Sequence, residues 1–186
     1  MCYSRPRYLA FFLTVIVVLL LHSGVGFAAQ LDCDQVQIKM IHPLQFGHLR
    51  GLQGKKGWVY LQTNNEYFMS ASIALRNDSF PSPGQVEIIA PSGCCLDLRI
   101  SPERSQGQNG EKEKNIRLEN LKVSSKTVPV TRISPDIYRG EVPVSKDGAD
   151  VRFLLDIGGE LSLKVTESLV DLSFMLYIEC FDIRTL

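Results

Sequence analysis

VRFLLDIGGELSLKV, residues 151–165, carries apolar side chains at alternate positions on both sides of a glycine pair. The apolar series is Val151, Phe153, Leu155 and Ile157 before the glycines and Leu161, Leu163 and Val165 after them. Side chains of a β-strand point alternately to its two faces, so this period of two predicts strands with one buried face. Gly158 and Gly159 fit a turn or a close approach of two backbones, because they lack a Cβ.

The same alternation recurs along the chain outside this stretch, and helical periodicity is nearly absent. Further strands are predicted at residues 36–41, 58–62, 69–75, 86–90, 94–100, 116–123, 128–133, 142–144 and 169–181. Residues 47–57 contain four glycines and are expected to form a connection, while Pro91-Ser92-Gly93 is expected to close a hairpin. A bulge or a turn is predicted near Asn120, where the apolar phase changes, and Pro129 fits an edge strand.

Many short strands at roughly ten-residue spacing, separated by Gly, Pro and Asn, are typical of a β-sandwich. We therefore predict an all-β protein with two antiparallel sheets packed face to face, of immunoglobulin-like or pilin-like type. A closed β-barrel is the alternative, because alternation does not distinguish a sheet packed on another from a sheet closed on itself.

The first 28 residues have the layout of a secretory signal peptide. Arg5 and Arg7 precede an apolar run from Tyr8 to Leu21, and small residues lead up to Ala29. The run is short for a membrane helix, which needs about 20 residues. We expect cleavage before Ala29, no stable membrane insertion afterwards, and a protein that is secreted, periplasmic or on the cell surface.

Composition fits a single domain over residues 29–186. Loss of Arg5 and Arg7 leaves 18 basic against 20 acidic residues. This near-neutral balance gives no reason to expect nucleic acid as a partner. Residues 102–115 have few apolar side chains and are predicted to form a mobile polar loop.

Four cysteines remain after removal of Cys2 with the leader: Cys33, Cys94, Cys95 and Cys180. An even number in an exported chain suggests two disulfides, and four cysteines allow three pairings. Cys94 and Cys180 share phase with apolar neighbours, so we favour a bridge between them, which leaves Cys33 for Cys95. A metal site is the alternative, although the sequence has no C-x-x-C, and no cofactor is predicted.

Several short motifs together resemble an uncharacterised bacterial family of secreted β-sandwich proteins. The motifs are Leu44-Gln45-Phe46-Gly47, Gly57-Trp58-Val59-Tyr60, Pro83-Gly84-Gln85-Val86 and Ile157-Gly158-Gly159-Glu160-Leu161. This domain of unknown function is distantly similar to fimbrial and spore-coat subunits. The resemblance implies a surface or periplasmic structural module without catalytic residues.

Trp58 and Tyr60 are the candidate ligand-binding residues, since they lie two positions apart and share a strand face. Such aromatic side chains stack on sugar rings, but in a sandwich they more often fill the core, and the sequence favours that interpretation. His42 and His48 are candidates for a metal ligand or a general base. Neither belongs to a recognised catalytic motif, and we interpret both as loop residues.

These observations predict an exported non-enzymatic structural or interaction module, such as a fimbria-like subunit or accessory. Its partners would be proteins that associate through strand edges. A carbohydrate- or small-ligand-binding module is the alternative, with a glycan as its partner. A secreted hydrolase is a third hypothesis, for which the sequence offers no motif.

Overall fold

The alternating apolar residues form antiparallel strands throughout the part of the chain that the structure describes. The computed structural model describes residues 31–51, 54–76, 78–102, 116–164 and 170–186, which belong to one compact unit, Leu31–Leu186. These residues contain one short 3₁₀ helix, Cys33–Gln35, and thirteen strands. The strands are β1 (Gln37–His42), β2 (Leu44–Gly51), β3 (Lys56–Leu61), β4 (Tyr67–Met69), β5 (Ile73–Leu75), β6 (Gly84–Ala90), β7 (Cys94–Pro102), β8 (Ile116–Ser124), β9 (Val130–Arg132), β10 (Ile137–Val142), β11 (Val151–Lys164), β12 (Val170–Phe174) and β13 (Leu176–Thr185).

Hydrogen bonding divides these strands into three sheets. The largest follows the order β1-β6-β11-β3-β4, with β8 also paired to β11. The second sheet has the order β13-β7-β10-β9, and the third has the order β12-β2-β5. The expected all-β sandwich is confirmed, since the sheets are antiparallel and keep open edges instead of closing into a barrel. Hydrogen bonding gives three sheets, however, where the strand pattern suggested two.

Strand β11 is the longest strand of the largest sheet. Its first half pairs with β6, and its second half lies between β3 and β8. Gly158 and Gly159 therefore lie inside one continuous strand and do not form a turn. A Cβ on Gly158 would overlap the carbonyl oxygen of Leu61, so this position needs glycine for close backbone approach.

Of the bulge or turn predicted near Asn120, the structure contains the bulge. In the pairing of β8 with β11, Lys122 is opposite Gly158 and Glu119 is opposite Glu160. The two intervening residues of β8 thus oppose the single residue Gly159, which defines a bulge. Asn120 adopts a left-handed conformation with φ of 49°, a region that asparagine tolerates better than most residues.

The predicted hairpin around residues 91–93 is wrong. β6 pairs with β1 and β11, whereas β7 pairs with β10 and β13 in another sheet. Residues 91–93 therefore cross from one sheet to another, with Gly93 at φ of 69°. Both flanking strands are apolar in alternation because each faces the core from its own sheet, for example through Ile88 and Leu98.

Other segments also differ from their predicted form. The single strand predicted at residues 69–75 is divided between β4 and β5, which belong to different sheets, and the fragment predicted at residues 142–144 contributes only Val142, the last residue of β10. The glycine-rich connection at residues 47–57 contributes to β2 and β3, and Leu44, Phe46 and Leu49 of β2 are fully buried. The single strand predicted at residues 169–181 is divided between β12 and β13, which belong to different sheets. The predicted leader and residues 103–115 of the predicted loop lie outside the described residues, as do residues 165–169, which include Val165 and Leu169 of the predicted strands.

One apolar core joins the three sheets. Its fully buried side chains include Phe46 of the third sheet, Ile88 of the first and Leu98 of the second. The Phe46 ring also meets Phe174 edge-on, with 5.8 Å between the ring centroids. Tyr138 of β10 donates its hydroxyl hydrogen bond to the carbonyl oxygen of Leu121 in β8, at 2.7 Å, and so links two sheets within the core.

A disulfide joins Cys33 to Cys180, with their Cα atoms 5.4 Å apart. It fastens the 3₁₀ helix to β13. The favoured pairing of Cys94 with Cys180 is wrong, because the register places Thr185 opposite Cys94 and Leu98 opposite Cys180. Four residues of a strand span about 13 Å, which is too far for a disulfide. Cys94 and Cys95 are free thiols, so the expected pairing of Cys33 with Cys95 is wrong as well.

None of the helical residues in the described ranges forms a segment long and apolar enough to cross a membrane.

Candidate functional site

The outward face of β3 carries both aromatic candidates. Its burial alternates, with Val59 and Leu61 fully buried and the residues between them turned outward. Trp58 is 42% exposed, and Tyr60 is half-buried. The interpretation of these two side chains as core residues is therefore wrong: the core receives the aliphatic phase of the strand and the aromatic phase faces solvent.

Side chains from the turn after β4 hold the start of β3 in place. The backbone N–H of Trp58 donates to Ser70 Oγ at 3.1 Å, and its carbonyl accepts from the N–H of Ser70 at 3.0 Å. Ser72 Oγ donates to the carbonyl of Lys56 at 2.9 Å. Gly57 permits this close contact, because a Cβ there would overlap the side chain of Ile73. The backbone that carries Trp58 is therefore fixed from the edge of the sheet.

A groove of about 520 Å³ runs over the outer face of the largest sheet beside Trp58. We call it the Trp58 groove. It is lined by Lys56, Gly57, Trp58, Arg117, Glu119, Glu160, Ser162, Leu163 and Lys164. The volume lies within the range of about 300–1,000 Å³ that is usual for small-ligand sites. Tyr60 does not line the groove, although it shares the outward face of β3.

The strand register orders the groove into rows that run across the sheet. Ser162 of β11 is opposite Trp58 on one side and Arg117 on the other. In the neighbouring row, Glu160 is opposite both Tyr60 and Glu119. Adjacent strands lie about 4.8 Å apart, so the Cα atoms of Trp58 and Arg117 are separated by about 10 Å. An aromatic ring, a hydroxyl and charged groups thus share a strip of the size of a small saccharide.

The aromatic surface continues beyond the groove. Phe68 of β4 is directly opposite Tyr60 and is 52% exposed. Trp58 and Tyr60 are two residues apart on one strand, which corresponds to about 7 Å along it. Three aromatic side chains therefore occupy two neighbouring rows at one side of the sheet.

Opposite charges collect at different ends of the Trp58 groove. Lys56 and Lys164 are directly opposed in register at one end, and both are exposed. At the other end, Glu160 accepts a hydrogen bond from Asn120 Nδ2 at 3.0 Å. Asn120 is the left-handed residue of the β8 bulge, so the bulge positions one carboxylate of the groove.

The two candidate histidines are not brought together as a site. His42 ends β1 in the largest sheet and is exposed, whereas His48 is a half-buried residue of β2 in the third sheet. The backbone N–H of His48 donates to Ser79 Oγ at 2.7 Å. Both histidines lie in strands, which corrects their interpretation as loop residues.

The free thiols lie on opposite faces of β7. Cys94 is buried, and its Sγ donates to the carbonyl of Pro91 at 3.0 Å. Burial raises the pKa of the Cys94 thiol, with a smaller contribution from the neighbouring Cys95. Among the described residues, no group of three or more His, Cys, Asp or Glu side chains is placed to hold a metal ion.

A buried ion cluster lies on the second sheet, and sequence reasoning missed it. Asp97 is only 5% exposed. It accepts two hydrogen bonds from Arg139, at 2.7 and 2.8 Å, and one from Arg184 at 2.7 Å. These bonds, those of Arg139 above all, hold the pKa of Asp97 below its usual value. The sequence signal for this cluster was Asp97 itself, an acidic residue between Leu96 and Leu98. Because its carboxylate is already bound by two guanidinium groups, the cluster is structural.

A scan against protein-family models, a search of curated proteins and a search of solved structures found no match to this chain. The resemblance to secreted β-sandwich proteins stays a prediction. The Trp58 groove is therefore the candidate site on its geometry alone.

Proposed function

We propose that this protein is an exported, non-enzymatic domain that binds a saccharide in the Trp58 groove. The outward orientation of Trp58 carries the proposal. Trp58 is 42% exposed, and a ligand stacked on its indole would remove apolar surface from water. The hydrogen bonds to Ser70 hold the backbone that bears the ring, so the strand itself needs no ordering on binding.

The polar lining of the groove suits a ligand rich in hydroxyl groups. Carboxylates such as Glu119 and Glu160 accept hydrogen bonds from hydroxyls, and Arg117 and Ser162 donate them. A flat apolar ring beside several convergent polar groups is the arrangement that recognises a sugar, which has apolar and polar faces. A wholly apolar ligand would leave these groups without partners, at a cost in affinity.

Export is supported by two independent features. The leader sequence precedes Ala29, and the disulfide between Cys33 and Cys180 needs an oxidising compartment to persist. Amino-terminal sequencing of protein recovered from the periplasm or medium should begin at Ala29. An intact leader on the recovered protein would contradict export through cleavage.

Ligand titration of the purified protein tests the saccharide function. Trp58 is the sole tryptophan of the sequence, so intrinsic fluorescence reports on the groove directly. We expect a spectral shift with at least one member of a soluble glycan panel. Calorimetry should then show affinity at least about tenfold weaker in Trp58→Ala, as for an aromatic anchor at a binding hot spot.

The matched control is Phe80→Ala, which removes an aromatic side chain that is 70% exposed and lies outside the groove. Its affinity should equal that of the wild type. The proposal fails if no glycan changes the fluorescence of Trp58, or if Trp58→Ala binds as tightly as the wild type.

Association through a strand edge is the second candidate function, and β1 is the observation that favours it. Within the described residues β1 pairs only with β6, so its other side can accept a strand from another chain. Light scattering after size exclusion, with unboiled samples on a detergent gel, tests this candidate. A detergent-resistant ladder would support it, and a monomer at all concentrations would refute it.

A further inference from the structure

We propose that the saccharide bound in the Trp58 groove is acidic, and that Lys56, Lys164 and Arg117 bind its anionic group. This inference rests on the saccharide-binding function proposed above. It starts from the pairing of β3 with β11, which places Lys56 directly opposite Lys164 on the face that bears Trp58.

Two like charges at directly opposed positions of an antiparallel pair destabilise the sheet, because their Cβ atoms are about 5 Å apart. An anion bound between the two lysines would remove this repulsion. The acidic end of the groove does not do so. Glu160 is four residues from Lys164 along β11, about 13 Å, which exceeds the screening length of about 8 Å at physiological ionic strength.

Arg117 is the third cation of the groove, and it lies one row from the lysine pair. Elsewhere in the described part of the chain, Arg99, Arg139 and Arg184 form ion pairs with carboxylates, whereas Arg132 donates to backbone carbonyls. Within the same described residues, Arg117, Lys56 and Lys164 have no carboxylate within ion-pair distance. Lys56 and Lys164 therefore line the groove without a carboxylate partner among the described residues, whereas Arg117 lies about 7 Å from Glu119 along β8 and is partly neutralised by it.

The arrangement defines the ligand class further. An anionic substituent fits the end with Lys56 and Lys164, a sugar ring fits Trp58, and ring hydroxyls fit the carboxylates at the far end. A carboxylate or a sulfate on the sugar would supply the charge. Arg117 favours such groups because its guanidinium donates paired hydrogen bonds to planar or tetrahedral oxyanions.

Matched pairs of ligands test this inference by calorimetry on the purified full protein. The first pair is an oligogalacturonide and its carboxyl-reduced form of the same length, and the second is dextran sulfate and dextran. We expect the acidic member of at least one pair to bind at least about tenfold more tightly, since each exposed charge pair contributes a few-fold. The preferred pair identifies carboxylate or sulfate. The preference should shrink with added salt.

Lys56→Gln/Lys164→Gln should reduce the ratio of acidic to neutral affinity. Arg117→Gln should reduce this ratio as well, and it should also weaken neutral binding because a hydrogen bond to a hydroxyl is lost. Lys39→Gln/Lys146→Gln removes two exposed lysines outside the groove and should leave the preference intact. Equal affinity for acidic and neutral ligands that still depends on Trp58 would overturn the acidic specificity and leave the saccharide function standing. Binding of no saccharide would overturn both. Equal binding of polyglutamate, independent of Trp58, would show a general polyanion surface and overturn the inference.

Discussion

Replacing both bridged cysteines, Cys33→Ala/Cys180→Ala, should strongly lower the free energy of unfolding. The two residues are 147 positions apart, so the disulfide closes a loop that contains nearly the whole described domain. The chain-entropy relation gives a stabilisation of about 5 kcal/mol for a loop of this length at 25 °C, and native disulfides commonly contribute about 2–5 kcal/mol. For a domain of this size the melting temperature should fall by about 5–20 °C.

Guanidinium unfolding followed by Trp58 fluorescence measures this effect. The wild type, the wild type with reductant and the double variant should be compared under otherwise identical conditions. The reduced wild type and the double variant should unfold at similar, lower midpoints. Their denaturant slopes should be steeper than that of the oxidised protein, because an unfolded chain without a cross-link exposes more surface.

Cys95→Ala is the control, since it removes a half-exposed thiol that takes no part in the bridge. It should keep both the midpoint and the sensitivity to reductant. If Cys95→Ala abolished the effect of reductant, or if Cys33→Ala/Cys180→Ala unfolded like the oxidised wild type, the assignment of the bridge would be refuted.

Two further predictions concern stability. Asp97→Asn should lower the free energy of unfolding at pH 7 by about 1.5–3 kcal/mol, because it weakens bonds to charged donors. The folded-state pKa of Asp97 is lowered, so its contribution is present above the usual aspartate pKa and disappears as pH falls through the folded value. The wild type and variant should converge in acid, and a constant gap down to pH 2 would contradict this. Gly158→Ala should lower stability by about 1–3 kcal/mol or more through overlap with the carbonyl of Leu61. Gly140→Ala, whose Cβ would meet Val128 at 3.4 Å, should melt closer to the wild type, and equal losses would argue against the overlap.

Local signals in the sequence predicted much of the strand content. Alternation identified β1 and the two halves of β11, a phase change identified the irregularity at Asn120, and Pro129 correctly indicated an edge at β9. These features depend on a few neighbouring residues, so the sequence contains what is needed to find them. The glycines of residues 47–57 are a local signal too, but they wrongly indicated a connection where β2 lies. Gly47, with φ of 74°, lies at an irregularity in the pairing of β2 with β12.

Features that depend on distant partners were not predictable in the same way. Residues 91–93 have hairpin chemistry, yet the strands on either side pair with β1 and β10, which no local pattern indicates. The predicted bridge from Cys180 to Cys94 was wrong for a related reason. Phase gives the face on which a cysteine lies, but not its position along the neighbouring strand.

Residue type identified Trp58 and Tyr60 as candidates, but the sequence did not predict that they face solvent. Trp58 and Tyr60 alternate with Val59 and Leu61, so β3 is apolar in both phases and the sequence does not state which phase is buried. Arg117, Glu119 and Lys164 carried no motif at all. They join the site through the register of three strands, which only the folded sheet supplies.

The division of the final segment between β12 and β13 has a consequence for the order of folding. β12 completes the third sheet by pairing with β2, and β13 supplies an edge of the second sheet by pairing with β7. Both pairings join residues far apart in the chain, which slows folding because long loops must close first. The third sheet therefore lacks β12, and the second sheet lacks β13, until residues 170–185 are available to pair.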